Sequence, residues 1–328
     1  MLKLIKNNKA LTQELISGLS PIRLSNYKKF FKTTSDEQVL GLYHWNEELS
    51  SVFFRTISII EVLLRNQFHR ALSLRYGAIG EIGSKDWYEF LSLNDLSKKK
   101  IQEVTHERYR GQLRPRRRLL SPDDVVSRLT FGFWLHLIDV STDTNEQAVD
   151  WGSILPEMLP GHRQKQPTYW RKQKHQDALF TRLKMCNDLR NRIAHHEPIW
   201  KLGPLKEEKR ARAGVKIETL VDPPRNASEA LVRLRLHHER LLELLSWLSP
   251  KVATYYRDSE LCLCCSYLLE ESTLLAYKNG RYWQELDLAM LGSFRKFRKT
   301  LRYSARHKQP VRIIDGELLL GYLRIRPF

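Results

Sequence analysis

The chain has 328 residues, 42% of them hydrophobic and eight of them tryptophan, which is ample for a buried core and allows one large domain or two. Its 55 Lys and Arg outnumber 37 Asp and Glu by a formal net charge of +18, an imbalance that points to an acidic partner. Four cysteines are too few for a disulfide framework, and no apolar run is long enough to span a bilayer.

Residues 1–34 read as a short basic arm. Its start, Met1 to Asn8, has no long apolar stretch of the signal-peptide kind, so a soluble, cytoplasmic protein without membrane contact is expected. Ser35-Asp36-Glu37 starts a helix whose apolar positions, Val39 through Leu72, continue to about Tyr76. Gly77, Gly80 and Gly83 break it. A basic helix is predicted near 97–110, leading into an exposed loop at Arg114-Pro115-Arg116-Arg117-Arg118. Ser121-Pro122-Asp123-Asp124 offers a cap, proline at the first helical position and acids in the first turn, so it opens a helix through Val140. Residues 151–167 read as a loop, and a helix follows from about Trp170. Residues 201–225 read as a surface loop; Ser228 then caps an apolar helix through Leu248, ended by Pro250.

Residues 251–328 differ in character. A helix near 259–278 is followed by the basic helical segment Phe294 to Arg302, and Val311 to Leu320 reads as a hairpin around Asp315-Gly316. Cys262, Cys264 and Cys265 lack metal-ligand spacing and read as buried small hydrophobes. Three blocks hold the entire positive excess. Residues 98–118 contain nine Lys/Arg against two Glu, residues 163–174 five with no acid, and residues 295–326 ten against two acids. Such runs can be solvated faces, but their clustering favours polyanion binding. Within them Arg116, Arg117, Arg118, Arg295, Lys296, Arg298, Lys299 and Arg302 are the candidate RNA contacts, with the last helix equally able to face solvent.

The segment with chemistry in it is Asn187-Asp188-Leu189-Arg190-Asn191-Arg192-Ile193-Ala194-His195-His196-Glu197-Pro198. On a helix, Arg190 and His195 stand about 140° apart with Asn187, Asn191 and Ala194 between them. The opposite arc carries Leu179, Leu183, Cys186, Leu189 and Ile193. Arginine grips phosphate in a fork and histidine moves protons near neutral pH. The same pattern also describes an ordinary polar helix end, where cations meet the negative end of the dipole.

This segment resembles the Arg-x4-His signature of the HEPN superfamily, and Leu-Arg-Asn-x-x-Ala-His-His is similar to its Abi-like (abortive infection) branch. Two further stretches resemble that branch: Ile60 to Asn66 with Tyr76-Gly77 and Asp86-Trp87-Tyr88, and Val125 to Trp134. The likeness covers roughly residues 35–250. It implies an all-α fold, a HEPN-like helical bundle at 35–250, and is silent on residues 251–328, whose own pattern reads as a small, basic α+β appendage on that core. It also implies a metal-independent endoribonuclease, a toxin in phage defence, with Arg190, His195 and Asn191 catalytic. Glu61, Arg65 and His196 would support them, although Glu61 and Arg65 are also placed for a plain structural ion pair. One histidine per chain cannot easily supply both base and acid, so the resemblance implies a homodimer that pairs two motif helices. The expected partners are RNA (tRNA or mRNA) and an antitoxin or phage trigger, with no metal or cofactor. Two other readings stay open: a non-catalytic RNA-binding module, and a HEPN toxin controlled by a nucleotidyltransferase, against which stands Glu197 where such toxins often carry tyrosine.

Overall fold

In a computed structural model the described residues are 9–212, 214–280, 284–289, 294–306, 311–316 and 318–323. The Met1–Asn8 stretch, Glu317 of the expected hairpin, and Lys308, Arg324 and Arg326 of the third basic block lie outside them. The chain is mostly helical, with fourteen α-helices among the described residues.

Three helices open it: α1 (Lys9–Gly18), α2 (Pro21–Phe31) and α3 (Asp36–Ser73). Ser35 caps α3 as expected, its hydroxyl accepting from the Gln38 amide. At 38 residues α3 is about 57 Å long. Residues 39–43 are all buried, more than one full turn, so this end of the helix is enclosed on every side. Further along, burial narrows to the stripe Phe53, Ile57, Ile60, Leu64, Phe68, Leu72.

The expected N-terminal arm is instead part of the core. Leu24, Tyr27 and Phe31 recur at helical spacing and are buried, and Tyr27, Phe30 and Phe31 surround Trp200 with ring centroids 4.5–5.2 Å away. The basic residues occupy the other face of α2, which is why composition alone suggested a solvated arm.

The middle of the chain supplies α4 (Asp95–Thr105), α5 (Pro122–Ser127), α6 (Phe131–Leu137), α7 (Trp151–Met158), α8 (Pro167–Trp170) and α9 (Gln173–Ala194). It also holds three short antiparallel pairs: β1 (Gly80–Glu81) with β2 (Ser84–Lys85), β3 (His106–Tyr109) with β4 (Gln112–Pro115), and β5 (Leu205–Lys206) with β6 (Thr219–Val221). The predicted helix through residue 110 stops at Thr105 because Arg110 and Gly111 both take positive φ and close a hairpin. The helix expected through Val140 is broken at Thr130, whose extended backbone turns the axis so that Val125, Val126, Phe131, Phe133 and Trp134 all reach the core. Residues 151–158, expected as loop, are helical.

Asn226, not Ser228, caps α10 (Ala227–Leu248). Pro250 does more than stop it: Ser249 caps a new helix, α11 (Pro250–Arg257), with Pro250 at its first position. The helix predicted over 259–278 is two, α12 (Glu260–Leu268) and α13 (Glu271–Lys278). Tyr256, Cys265, Leu268, Leu274 and Tyr277 join the main core, so that core does not end at residue 250. All four cysteines are free and buried. Beyond the core come β7 (Gln284–Asp287), α14 (Phe294–Arg306), β8 (Val311–Asp315) and β9 (Leu318–Leu323), the three strands forming one sheet. The hairpin β8–β9 turns at Gly316, where φ is +59°, while β7 pairs parallel to β8 and α14 makes the crossover such pairing needs. Leu286, Val311 and Ile314 are buried there, outside the main core.

Helix α3 is the common partner: α1, α2, α5, α6, α7, α9, α10, α12 and α13 all pack on it. Trp45 donates to the Leu268 carbonyl at 2.8 Å, and the Asn46 amide oxygen accepts from the Ile199 backbone at 3.0 Å. Gly41 lets α13 approach; a Cβ there would collide with the Tyr277 carbonyl oxygen. Because the obstacle is backbone on both sides, Gly41→Ala should destabilise the protein by about 1–3 kcal/mol. Denaturant unfolding should show that loss, and a wild-type midpoint would refute the close-packing account.

Candidate functional site

The motif lies where expected, on the last turns of α9. Its end is fixed by backbone chemistry. The Glu197 amide donates to the Arg192 carbonyl and the His196 amide to the Ile193 carbonyl, both at 2.9 Å, with His196 at φ +55°. That is a Schellman closure, with His195 as the cap and His196 in the left-handed position that usually belongs to glycine. The His196 carbonyl also accepts from Arg23 of α2 at 3.1 Å. Arg192 secures the following loop by donating to the carbonyls of Pro198 and Lys201 and pairing with Glu197. His195 and His196 both keep their imidazoles exposed. His196 thus serves here through its backbone.

Arg190 and His195 face different surroundings. Arg190 is half-buried on the side of α9 that meets α3, with its Nη1 3.4 Å from the Asn191 Oδ1. Its charge acts on Glu61, whose carboxyl is pushed up by burial and drawn back down by Arg190 and then Arg65. Glu61 and Arg65 share this cluster but make no direct ion pair; Arg65 donates to the Ser127 carbonyl at 2.7 Å. The simple helical pair considered from spacing is therefore not what forms. No hydrogen bond or ion pair joins Arg190 to His195 among the described residues.

His195 and Asn191 instead border a groove of about 770 Å³ between α9, α10 and residues 202–211. Ion pairs hold its outer wall in place. Arg212 meets Asp177 at 2.8 Å, Arg210 pairs with Asp139 and stacks over Phe180, and Glu208 binds Arg182 at 2.9 Å. The surface loop expected from composition is thus anchored by its own charges. The groove also contains residues that sequence reasoning missed, Arg233 and His237, buried on α10. The available signal was two ionisable residues one turn apart on the face of a helix that is otherwise mostly leucine.

The basic candidates separate by role. Arg116 is half-buried and pinned to the end of α4, its Nε donating to the Val104 carbonyl at 2.7 Å, so it closes the β3–β4 hairpin rather than standing free as loop. Arg117 and Arg118 are exposed. On α14, Arg295, Lys296, Arg298, Lys299 and Arg302 are all exposed. Phe294 does not seat that helix, being 72% exposed; Phe297 and Leu301 are half-buried, and the helix packs on β7. Among the described residues no group of three His, Cys, Asp or Glu could hold a metal ion, and no helix is long and apolar enough to cross a membrane.

Since His196 works through a left-handed backbone, His196→Gly should keep or raise stability, by up to about 1 kcal/mol. His196→Val should lower it, because a β-branched residue resists positive φ. Thermal unfolding of the pair distinguishes this from a side-chain role, in which both would behave alike.

No curated protein and no solved structure matches the chain. A family model described as Abi-like protein matches residues 14–201, which is more than half of the sequence. The chain belongs to the Abi-like protein family.

Proposed function

We propose that the protein is a metal-independent endoribonuclease of the HEPN type, acting as a toxin in abortive infection. The observation that carries this reading is His195. Its imidazole stands exposed at the capped end of α9, on the rim of a groove rich in cationic side chains, five residues from an arginine whose charge acts on Glu61. The family's name supplies the abortive-infection context.

The chemistry is internal transesterification. The ribose 2′-oxygen attacks the adjacent phosphorus while an imidazole removes its proton. The bond from phosphorus to the 5′-oxygen breaks, and a second imidazole protonates that leaving oxygen. Arg190 and Asn191 stabilise charge on the phosphorane. Within one chain Arg190 and His195 point to different sides of α9, and each chain brings one such histidine. Two α9 helices paired across a two-fold axis would place one chain's Arg190 beside the other's His195. The exposed cations of α14, with Arg117 and Arg118, would add salt-dependent contacts to RNA phosphates.

The separation of Arg190 from His195 favours one other reading, a module that binds RNA without cleaving it. Purified protein incubated with total RNA decides between them. Cleavage should persist in EDTA and leave 2′,3′-cyclic phosphate ends. His195→Ala and Arg190→Ala should each slow it by about a hundredfold or more with the helical fold retained, and His196→Ala should cost much less. Equal cleavage of DNA, complete loss with the chelator, or full activity from a chain that sediments as a monomer would defeat the mechanism.

A further inference from the structure

Two arginines are buried beneath the outer wall of the groove, and they are treated very differently by their surroundings. Arg182, 6% exposed, donates to Glu208 at 2.9 Å and Glu243 at 2.5 Å, bonds the Arg240 carbonyl at 3.3 Å and stacks on Trp247. Burial opposes its charge, but the two carboxylates outweigh that and hold it above its usual range. Arg233, 5% exposed, has nothing comparable. Its one hydrogen bond is a long one, from Nη2 to the Gly203 carbonyl at 3.4 Å, and its Nε and Nη1 find no acceptor among the described residues. Burial and then the Arg240 charge push its affinity for a proton down.

One turn along α10, His237 is 7% exposed and its Nδ1 also lacks a partner. Burial, followed by the charges of Arg233, Arg240 and Arg192, lowers it to about 3, so the ring is neutral. The carboxylates that line the groove do not serve this pair. Asp188 binds Lys184 at 2.6 Å, Glu197 pairs with Arg192, Glu207 binds Lys209 at 2.7 Å, and Glu208 is shared between Arg182 and Arg240. A buried guanidinium with donors on two nitrogens unused is a costly arrangement unless an anion completes it.

We propose that Arg233 and His237 form a phosphate-binding subsite in the groove, with Arg233 supplying the charge and donors and the neutral His237 adding a polar contact. Phosphate fits better than a carboxylate-bearing ligand because its three or four oxygens can meet donors on separate guanidinium nitrogens and a ring nitrogen together. The phosphate comes either from an RNA backbone seated along the groove toward His195 or from a free nucleotide. Binding at this subsite needs no cleavage activity, so the proposal stands apart from the ribonuclease reading.

The test uses the full-length protein in low-salt buffer with three probes: inorganic phosphate, adenosine 5′-monophosphate with adenosine as control, and a short 2′-O-methyl RNA that cannot be cleaved at the 2′-oxygen. Binding is read by calorimetry and by the shift in thermal midpoint. Wild type should bind phosphate-bearing probes and not adenosine. Arg233→Met, which keeps the volume and removes the charge, should weaken them by about tenfold to a hundredfold. Without any anion it should melt about 2 °C or more above wild type, because an uncompensated buried charge is gone. Arg233→Lys keeps a charge and serves should the first variant fail to fold; it too should bind at least severalfold more weakly. Arg233-dependent binding of the mononucleotide assigns a nucleotide site, and Arg233-dependent binding of the oligonucleotide alone assigns a backbone site. Wild type indifferent to all three probes, or variants that bind them as wild type does, would overturn the proposal.

Discussion

Everything in the helical core depends on the burial of α3. A helix enclosed on all sides over residues 39–43 can exist in water only if neighbours cover every face, and nine other helices pack along its length. That requirement explains why α1 and α2 cannot remain a solvated arm and why α12 and α13 cannot belong to a separate appendage. Gly41 and Trp45 are two points at which this covering is fastened, one by leaving room for the backbone of α13 and the other by bonding the Leu268 carbonyl. Among the described residues the buried hydrophobics outside the main core are Leu286, Val311 and Ile314 of the small sheet.

The same spine orients the motif helix. Helix α9 packs on α3, which turns Arg190 toward Glu61 and Arg65 and leaves His195 at the free end of the helix. The Schellman closure then determines where that end stops, and Arg23 and Arg192 tie the stopped end to α2 and to the next loop. A single geometric consequence follows: within one chain the arginine and the histidine of the motif lie on different sides of the helix. A shared site between two copies would reconcile that placement with the chemistry proposed for the pair.

Charge in this protein is used in three ways that composition cannot separate. Some cations are structural, as Arg182, Arg210 and Arg212 are when they fasten the outer wall of the groove. Some are simply exposed, as on α14. Arg233 is neither paired nor exposed. The net charge of +18 therefore overstates the surface available to a polyanion, since part of it is consumed in holding residues 202–212 against α9 and α10.

The sequence by itself determined whatever depends on local chemistry. Ser35 with Asp36 and Glu37 marked the start of α3, Ser121-Pro122 the start of α5, and Asp315-Gly316 the final turn. The Arg190 to Pro198 wording located the motif at a helix end, and its likeness to the Abi-like family agreed with the family match. These signals are short-range: a cap bonds three residues away, and a turn residue answers to its own φ. Tertiary structure decided what involves residues far apart in the chain. It turned Tyr27 and Phe31 inward onto Trp200, broke the helix at Thr130 to bring two apolar clusters into one core, and paired β7 parallel to β8. It also set Arg233 and His237 beneath the groove that His195 borders, more than 35 residues away in sequence. No local pattern encodes such placements, because burial of a side chain is a property of the neighbours that cover it.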